Sequence, residues 1–203
     1  MLLKKKGTDL LMKAERIMLS YAEGNITVYD FWKEFCNNDC LQNLIYNDKK
    51  LPVKNKPFLY ENIDLRFLYH RCEIFRVVKC YFLRRNIKVN FYNVDEILYS
   101  ELIKIVPEYI NIDDNWFVNN ILNKCSFKVG TIQRKEWISD KIKEHYKYAV
   151  IPPKWLQSSE WPIGEKGPLY FEKQSNNPNT NIDNFIDYYF YDGSKEVIIR
   201  LYD

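Results

Sequence analysis

Glycine is scarce in this chain, with six in 203 residues, and none of the six lies in a cluster. That excludes the glycine-rich loops that cradle phosphates. Neither G-x-x-x-x-G-K-[ST] nor G-x-G-x-x-G occurs, and G-x-S-x-G and H-E-x-x-H are missing as well. Histidine is scarcer still, at two, so acid–base chemistry near neutral pH has few side chains to draw on. The five cysteines, at 36, 40, 72, 80 and 125, form an odd set at irregular spacing rather than a disulfide framework. Cys36 and Cys40 are the one close pair. With only His70 and His145 to join them, a four-ligand zinc site would need distant partners. Reduced thiols in a cytoplasmic chain are the expectation. No apolar run reaches the roughly 18 residues of a membrane span. The leading Met1-Leu2-Leu3-Lys4-Lys5-Lys6-Gly7 puts its lysines after the leucines with no apolar stretch behind them, so no secretory signal is expected there. Charge of one sign is also lacking. Thirty basic and 27 acidic residues leave +3 and an isoelectric point near 8.4, below the usual footprint of a nucleic-acid binder.

What is present is apolar and aromatic. Apolar residues make up 46% and aromatics 16%, with 16 Tyr, 12 Phe and 5 Trp, enough for a sizeable core in one domain or a domain with a small lobe. Helical spacing runs from Asp9 to Ala22 through Leu10, Leu11, Ala14, Ile17, Met18 and Tyr21, with Gly24 as the stop. Thr27 and Asp30 form a capping-box variant before Phe31, Trp32 and Phe35. A short helix over Leu41–Tyr46 and a polar loop over Asn47–Lys56 come next. Asn62 or Asp64 is placed to cap the most apolar helix, roughly Leu65–Arg85, whose charges are almost all basic. Asn86–Tyr92 reads as a short strand or an extended link. Asn93, with Glu96, opens a helix that stops before Pro107. Asp113 or Asp114 opens another as far as Cys125, and Ser126 or Thr131 a last one through Tyr146.

The pattern changes near Val150, after which Pro152-Pro153 ends helical character. A strand is expected near Leu169–Lys173. Asp187–Tyr191 and Glu196–Tyr202 then flank Asp192-Gly193, a hairpin-turn signal. The fold class is therefore α+β: a helical body over 1–147 and an antiparallel β region over 148–203 packed on it. Charge divides in the same way, with −4 over residues 160–203 and +7 over 1–159.

Isolated candidates for chemistry have ordinary structural readings. His70 lies within the central helix beside Arg71, and His145 in a polar helix end. Asp113 and Asp114 are adjacent and point about 100° apart on a helix, so they do not form a facing pair. Trp155 and Trp161 stand outside helix and strand periodicity and read as an extended crossover pinned by aromatic burial.

The C-terminal segments Pro152-Pro153-Lys154-Trp155-Leu156-Gln157 and Glu160-Trp161-Pro162-Ile163, then Pro168-Leu169-Tyr170-Phe171 to Gln174 and the Tyr-Phe-Tyr-Asp-Gly hairpin, resemble bacterial immunity proteins. These proteins accompany polymorphic and contact-dependent growth inhibition toxins. The stretch Tyr21–Trp32 is similar to the opening of such proteins. The resemblance covers about the first 50 and the last 55 residues and carries no catalytic residue. It implies a cytoplasmic, non-enzymatic inhibitor that binds a cognate toxin C-terminal domain and uses no cofactor, metal or membrane. The acidic tail would suit a basic toxin such as a nuclease. Charge and aromatic content name Glu160, Glu172, Asp183, Asp187, Tyr188, Tyr191 and Asp192 as candidate toxin contacts. Two other function classes stay open: a nucleic-acid-binding helical domain using Arg76, Lys79, Arg84 and Arg85, and a small hydrolase or RNase-like enzyme using His70.

Overall fold

The computed structural model describes residues 2–49, 51, 63–176 and 185–202. Among these residues the architecture is α+β, as expected, with seven α-helices, one π-helical turn and small antiparallel sheets near the C-terminus. They fall into two compact units, Met1–Tyr99 and Ser100–Asp203, with the division inside a helix. The change of pattern near Val150 is a switch from helix to sheet within the second unit.

The first unit contains α1 (Leu2–Ala22), α2 (Val28–Cys36), α3 (Asp39–Tyr46), α4 (Leu68–Leu83) and the start of α5 (Val94–Ile105). α1 begins seven residues before the sequence periodicity does. Gly24, at φ 76°, turns the chain out of it, and Tyr92 N–H donates to the Ala22 carbonyl at 2.9 Å. Thr27 caps α2 with the complete capping box: its hydroxyl accepts from Asp30 N–H, while the Asp30 carboxylate accepts from the Thr27 amide. Tyr21, Phe31, Phe35 and Phe75 fill the core, with Tyr21 stacked on Phe31 at 4.5 Å. α4 is the central helix, but it is shorter than its apolar pattern. Its N-cap is Phe67, without a side-chain bond. Asp64 is occupied instead by a fork to Arg66 and by the Arg66 amide, which holds the chain in a turn before the helix. Asn62 and most of the Asn47–Lys56 loop lie outside the described residues. Residues 86–92 are an extended link, entered through Asn86 at φ 55°.

The second unit continues α5 and adds α6 (Asn115–Phe117), capped by Asp114, a π-helical turn (Val118–Leu122) and α7 (Ile132–His145), capped by Thr131. The single helix expected from Asp113 or Asp114 to Cys125 is thus interrupted. The π-turn is closed by Asn123 N–H on the Val118 carbonyl, and the Asn120 side chain takes the Trp116 carbonyl. Glu101 of α5 is buried against α7. Arg134 Nε donates to it at 2.9 Å and Gly130 N–H at 2.6 Å.

A two-stranded ribbon, β1 (Ile163–Gly164) with β2 (Gly167–Pro168), precedes the main sheet. That sheet is β3 (Tyr170–Asn176), β4 (Phe185–Tyr191) and β5 (Glu196–Tyr202), antiparallel in the order β3-β4-β5. A β-bulge lies between Phe171, which faces Phe190, and Lys173, which faces Tyr189, so Glu172 is the extra residue. One face of the sheet carries Phe171, Tyr188 and Phe190, which pack on Trp155 and Trp161. Trp155 Nε1 donates to the Tyr109 carbonyl and Trp161 Nε1 to that of Leu169. The proline-flanked crossover is therefore pinned to the unit by its two indoles, as the sequence implied.

Candidate functional site

The strand alternation that sends Tyr188 and Phe190 into the core turns every second residue the other way. The opposite face of the sheet carries Tyr170 and Lys173 from β3, Phe185, Asp187, Tyr189 and Tyr191 from β4, and Glu196, Ile198, Arg200 and Tyr202 from β5. Four of its large side chains are open to solvent: Tyr170 at 40%, Tyr191 at 43%, and Ile198 and Tyr202 at 51% each. Two cations lie over rings of this face, Lys173 Nζ at 5.1 Å from Tyr189 and the Arg200 guanidinium at 4.1 Å from Phe185.

The candidate contacts do not share one environment. Glu160, Glu172, Tyr191 and Asp192 are exposed. Asp183 lies outside the described residues. Tyr188 has no exposed surface; its hydroxyl accepts from Leu156 N–H at 2.8 Å and donates to the Lys154 carbonyl at 2.9 Å. It fastens the crossover to the sheet and is not available to a partner, so the reading of it as a contact is corrected. Asp187 is likewise mostly covered, because Arg200 grips both its oxygens, at 2.7 and 2.9 Å. That grip holds its carboxyl below the usual carboxylate range. Its acidity serves the sheet rather than a partner.

Asp192 is exposed but engaged. Its Oδ1 accepts from the Ser194 and Lys195 amides and the Ser194 hydroxyl, and these bonds lower its pKa to about 2. As the sequence places them, the strands end at Tyr191 and Glu196, with Asp192–Lys195 between them and Gly193 at φ 92°. Between this loop and the β1–β2 ribbon lies an open groove of about 1040 Å³, lined by Ile163, Leu169, Tyr170, Tyr191, Lys195 and Val197 among others. Tyr170, Glu196, Ile198 and Tyr202 belong to the exposed surface and were absent from the sequence-based set. The signal for the last three was available, since Glu196–Tyr202 reads outward at every second position once β4 is taken as the partner.

The basic helix is largely neutralised. Arg76 pairs with Glu73 and Glu96, Lys79 Nζ lies 3.2 Å from Glu96, and Arg85 Nη1 lies 2.8 Å from the buried Asp48. Arg84, the fourth cation considered for nucleic acid, is exposed and forms no ion pair among the described residues. His70 Nδ1 lies 3.1 Å from the Asp64 backbone nitrogen, and its ring stands edge-on to Phe67. This geometry ties the preceding turn to α4. His145 packs on Trp116 at 5.0 Å. Cys36 is exposed, whereas Cys72 is fully buried and desolvation pushes its thiol up to about 12. Among the described residues no group of three or more His, Cys, Asp or Glu side chains is placed to hold a metal, and no helix is long and apolar enough to cross a membrane.

Comparison with protein-family models, curated proteins and solved structures finds no match.

Proposed function

We propose that the protein is an immunity protein. It binds a cognate toxin domain in the cytoplasm of the cell that makes both and blocks it by contact rather than catalysis. The observation that carries this reading is the exposed face of the C-terminal sheet: Tyr170, Tyr191, Ile198 and Tyr202 stand in solvent with acidic Glu172, Asp192 and Glu196 on neighbouring positions of the same strands and loop. Aromatic side chains of this kind are favoured anchors at interfaces, since they bury large area at a small entropy cost. Acidic neighbours suit a basic toxin such as a nuclease and would speed its capture. Part of the sequence resemblance lies in the same C-terminal segment.

The test is co-expression with the toxin domain encoded beside this gene. Growth should be restored by the wild-type chain and lost with Tyr170→Ala/Tyr191→Ala, two exposed positions whose truncation leaves the core intact. A toxin domain that kills equally with and without the wild-type chain would overturn the proposal. So would full protection by the double variant together with a contact surface mapped outside this sheet.

A further inference from the structure

Among the described residues β5 pairs with one strand only, β4. It runs Glu196-Val197-Ile198-Ile199-Arg200-Leu201-Tyr202 with no proline, bulge or lysine, and its only edge charges are one of each sign, Glu196 and Arg200. The direction of its free backbone groups follows from two bonds. Asp192 N–H donates to the Lys195 carbonyl at 3.3 Å, which makes 192 and 195 a hydrogen-bonded pair. Such pairs alternate in an antiparallel ladder. Val197, Ile199 and Leu201 therefore exchange bonds with β4, and the backbone groups of Glu196, Ile198 and Arg200 point away from it. The Gln157 side chain agrees, because it reaches the Tyr202 carbonyl from that outer side at 2.8 Å. Tyr202 is thus already met, and among the described residues three positions of the edge have no partner.

We infer that β5 pairs with β5 of a second chain, antiparallel, about a twofold axis through Ile198. This register uses all three open residues at once: Ile198 meets the partner's Ile198, and Glu196 and Arg200 each meet the other's counterpart. The exposed side chains are then complementary. Glu196 of each chain faces Arg200 of the other, on either side of an Ile198 pair that is 51% exposed in one chain. Within its own chain Arg200 grips Asp187 through Nε and Nη2, bonds the Tyr202 side chain and lies over the Phe185 ring, so Glu196 of the second chain would share its charge with these groups. A slip of one residue, to a dyad at Ile199, would set Ile198 against Arg200 and Glu196 against Tyr202, and would discard the charge match. Edge pairing leaves the aromatic face open and makes one six-stranded sheet with two such faces side by side. Glu196 and Ile198 also belong to the proposed toxin-binding face, so self-association is read on the chain alone, with no toxin domain present.

Light scattering on the purified full chain reads the result directly. The wild type should show twice 24.6 kDa at micromolar concentration and above. Ile198→Lys, which places two lysines on the axis, should give a monomer with an unchanged circular dichroism spectrum. Tyr170→Ala, on the far edge strand, should remain a dimer. Glu196→Lys and Arg200→Glu should each weaken self-association at least tenfold. Mixed together, they should form a heterodimer, because both cross-strand pairs become attractive again. A wild type that stays monomeric throughout the range would overturn the inference. So would a dimer that survives Ile198→Lys.

Discussion

The ion pair between Glu101 and Arg134 offers a sharp test of the energetics assigned to the second unit. Their side chains are only 4% and 7% exposed. Glu101 accepts from Arg134 Nε and Gly130 N–H, while Arg134 Nη1 also reaches the Phe127 carbonyl at 3.2 Å. Substituting Glu101→Leu removes one charge and strands the other. Breaking a buried pair in this way costs about 3–5 kcal/mol. Arg134→Leu should cost a similar amount, because it leaves a carboxylate with one amide donor. The double variant removes both charges and leaves chiefly the Gly130 amide without its acceptor, a loss of about 1–3 kcal/mol. The double variant should therefore be more stable than either single one, with a coupling energy of at least about 3 kcal/mol against the roughly 0.5 kcal/mol expected of independent sites. Urea denaturation followed by tryptophan fluorescence measures all four proteins, and midpoints can be compared if the slopes agree. Simple additivity of the two single losses would refute the reasoning, since it would mean that neither residue depends on the other.

Three further outcomes follow from the geometry. Tyr188→Phe deletes only the hydroxyl that ties Lys154 and Leu156 to the sheet, and should cost about 1–3 kcal/mol in the same assay; a loss under about 0.5 kcal/mol would mean that water takes its place without penalty. Gly24→Ala should destabilise more than Gly193→Ala. Both sit at positive φ, but a new Cβ at 24 would lie 2.6 Å from Tyr92 Cδ1, while at 193 it meets nothing within 4 Å; the second change should cost only about 1–2 kcal/mol of backbone strain. Asp187, whose pKa is lowered by Arg200, contributes stability that is present above the unfolded carboxylate pKa of about 3.9 and is lost as pH falls through the lower folded value. Asp187→Asn should therefore flatten the acid limb of a stability–pH curve, and an unchanged acid limb would show that Arg200 does not act on it.

The elements set by local chemistry were legible from sequence. The Thr27 box, the Thr131 cap, the stop before Pro107 and the β4–β5 hairpin all depend on residues within a few positions of one another. The misreadings came where a distant group competes. Asp64 looked like a helix cap, but its carboxylate is held by Arg66. The helix after Asp114 looked continuous, but Asn120 takes a backbone carbonyl and the turn widens. The candidate surface was legible in location and not in detail. Charge and aromatic counting reached the right strands, yet it could not tell Tyr188 from Tyr191. That distinction depends on sheet parity, which the four-residue hairpin loop and the bulge at Glu172 set together. Arg134 was hidden for a similar reason, since a charged residue in a polar helix gives no sign that a glutamate 33 positions away is buried beneath it.

Glu172 can also be viewed in terms of insertion and deletion. Phe171 and Lys173 face consecutive residues of β4, so excising Glu172 would leave every cross-strand partner in β3 where it is and keep Phe171 inside and Lys173 outside. The sheet does not need this residue to pair. It is the one position in β3 that the chain can gain or lose without shifting its reading frame, which makes it a natural place for closely related chains to differ in length, and in the charge they present beside the exposed tyrosines.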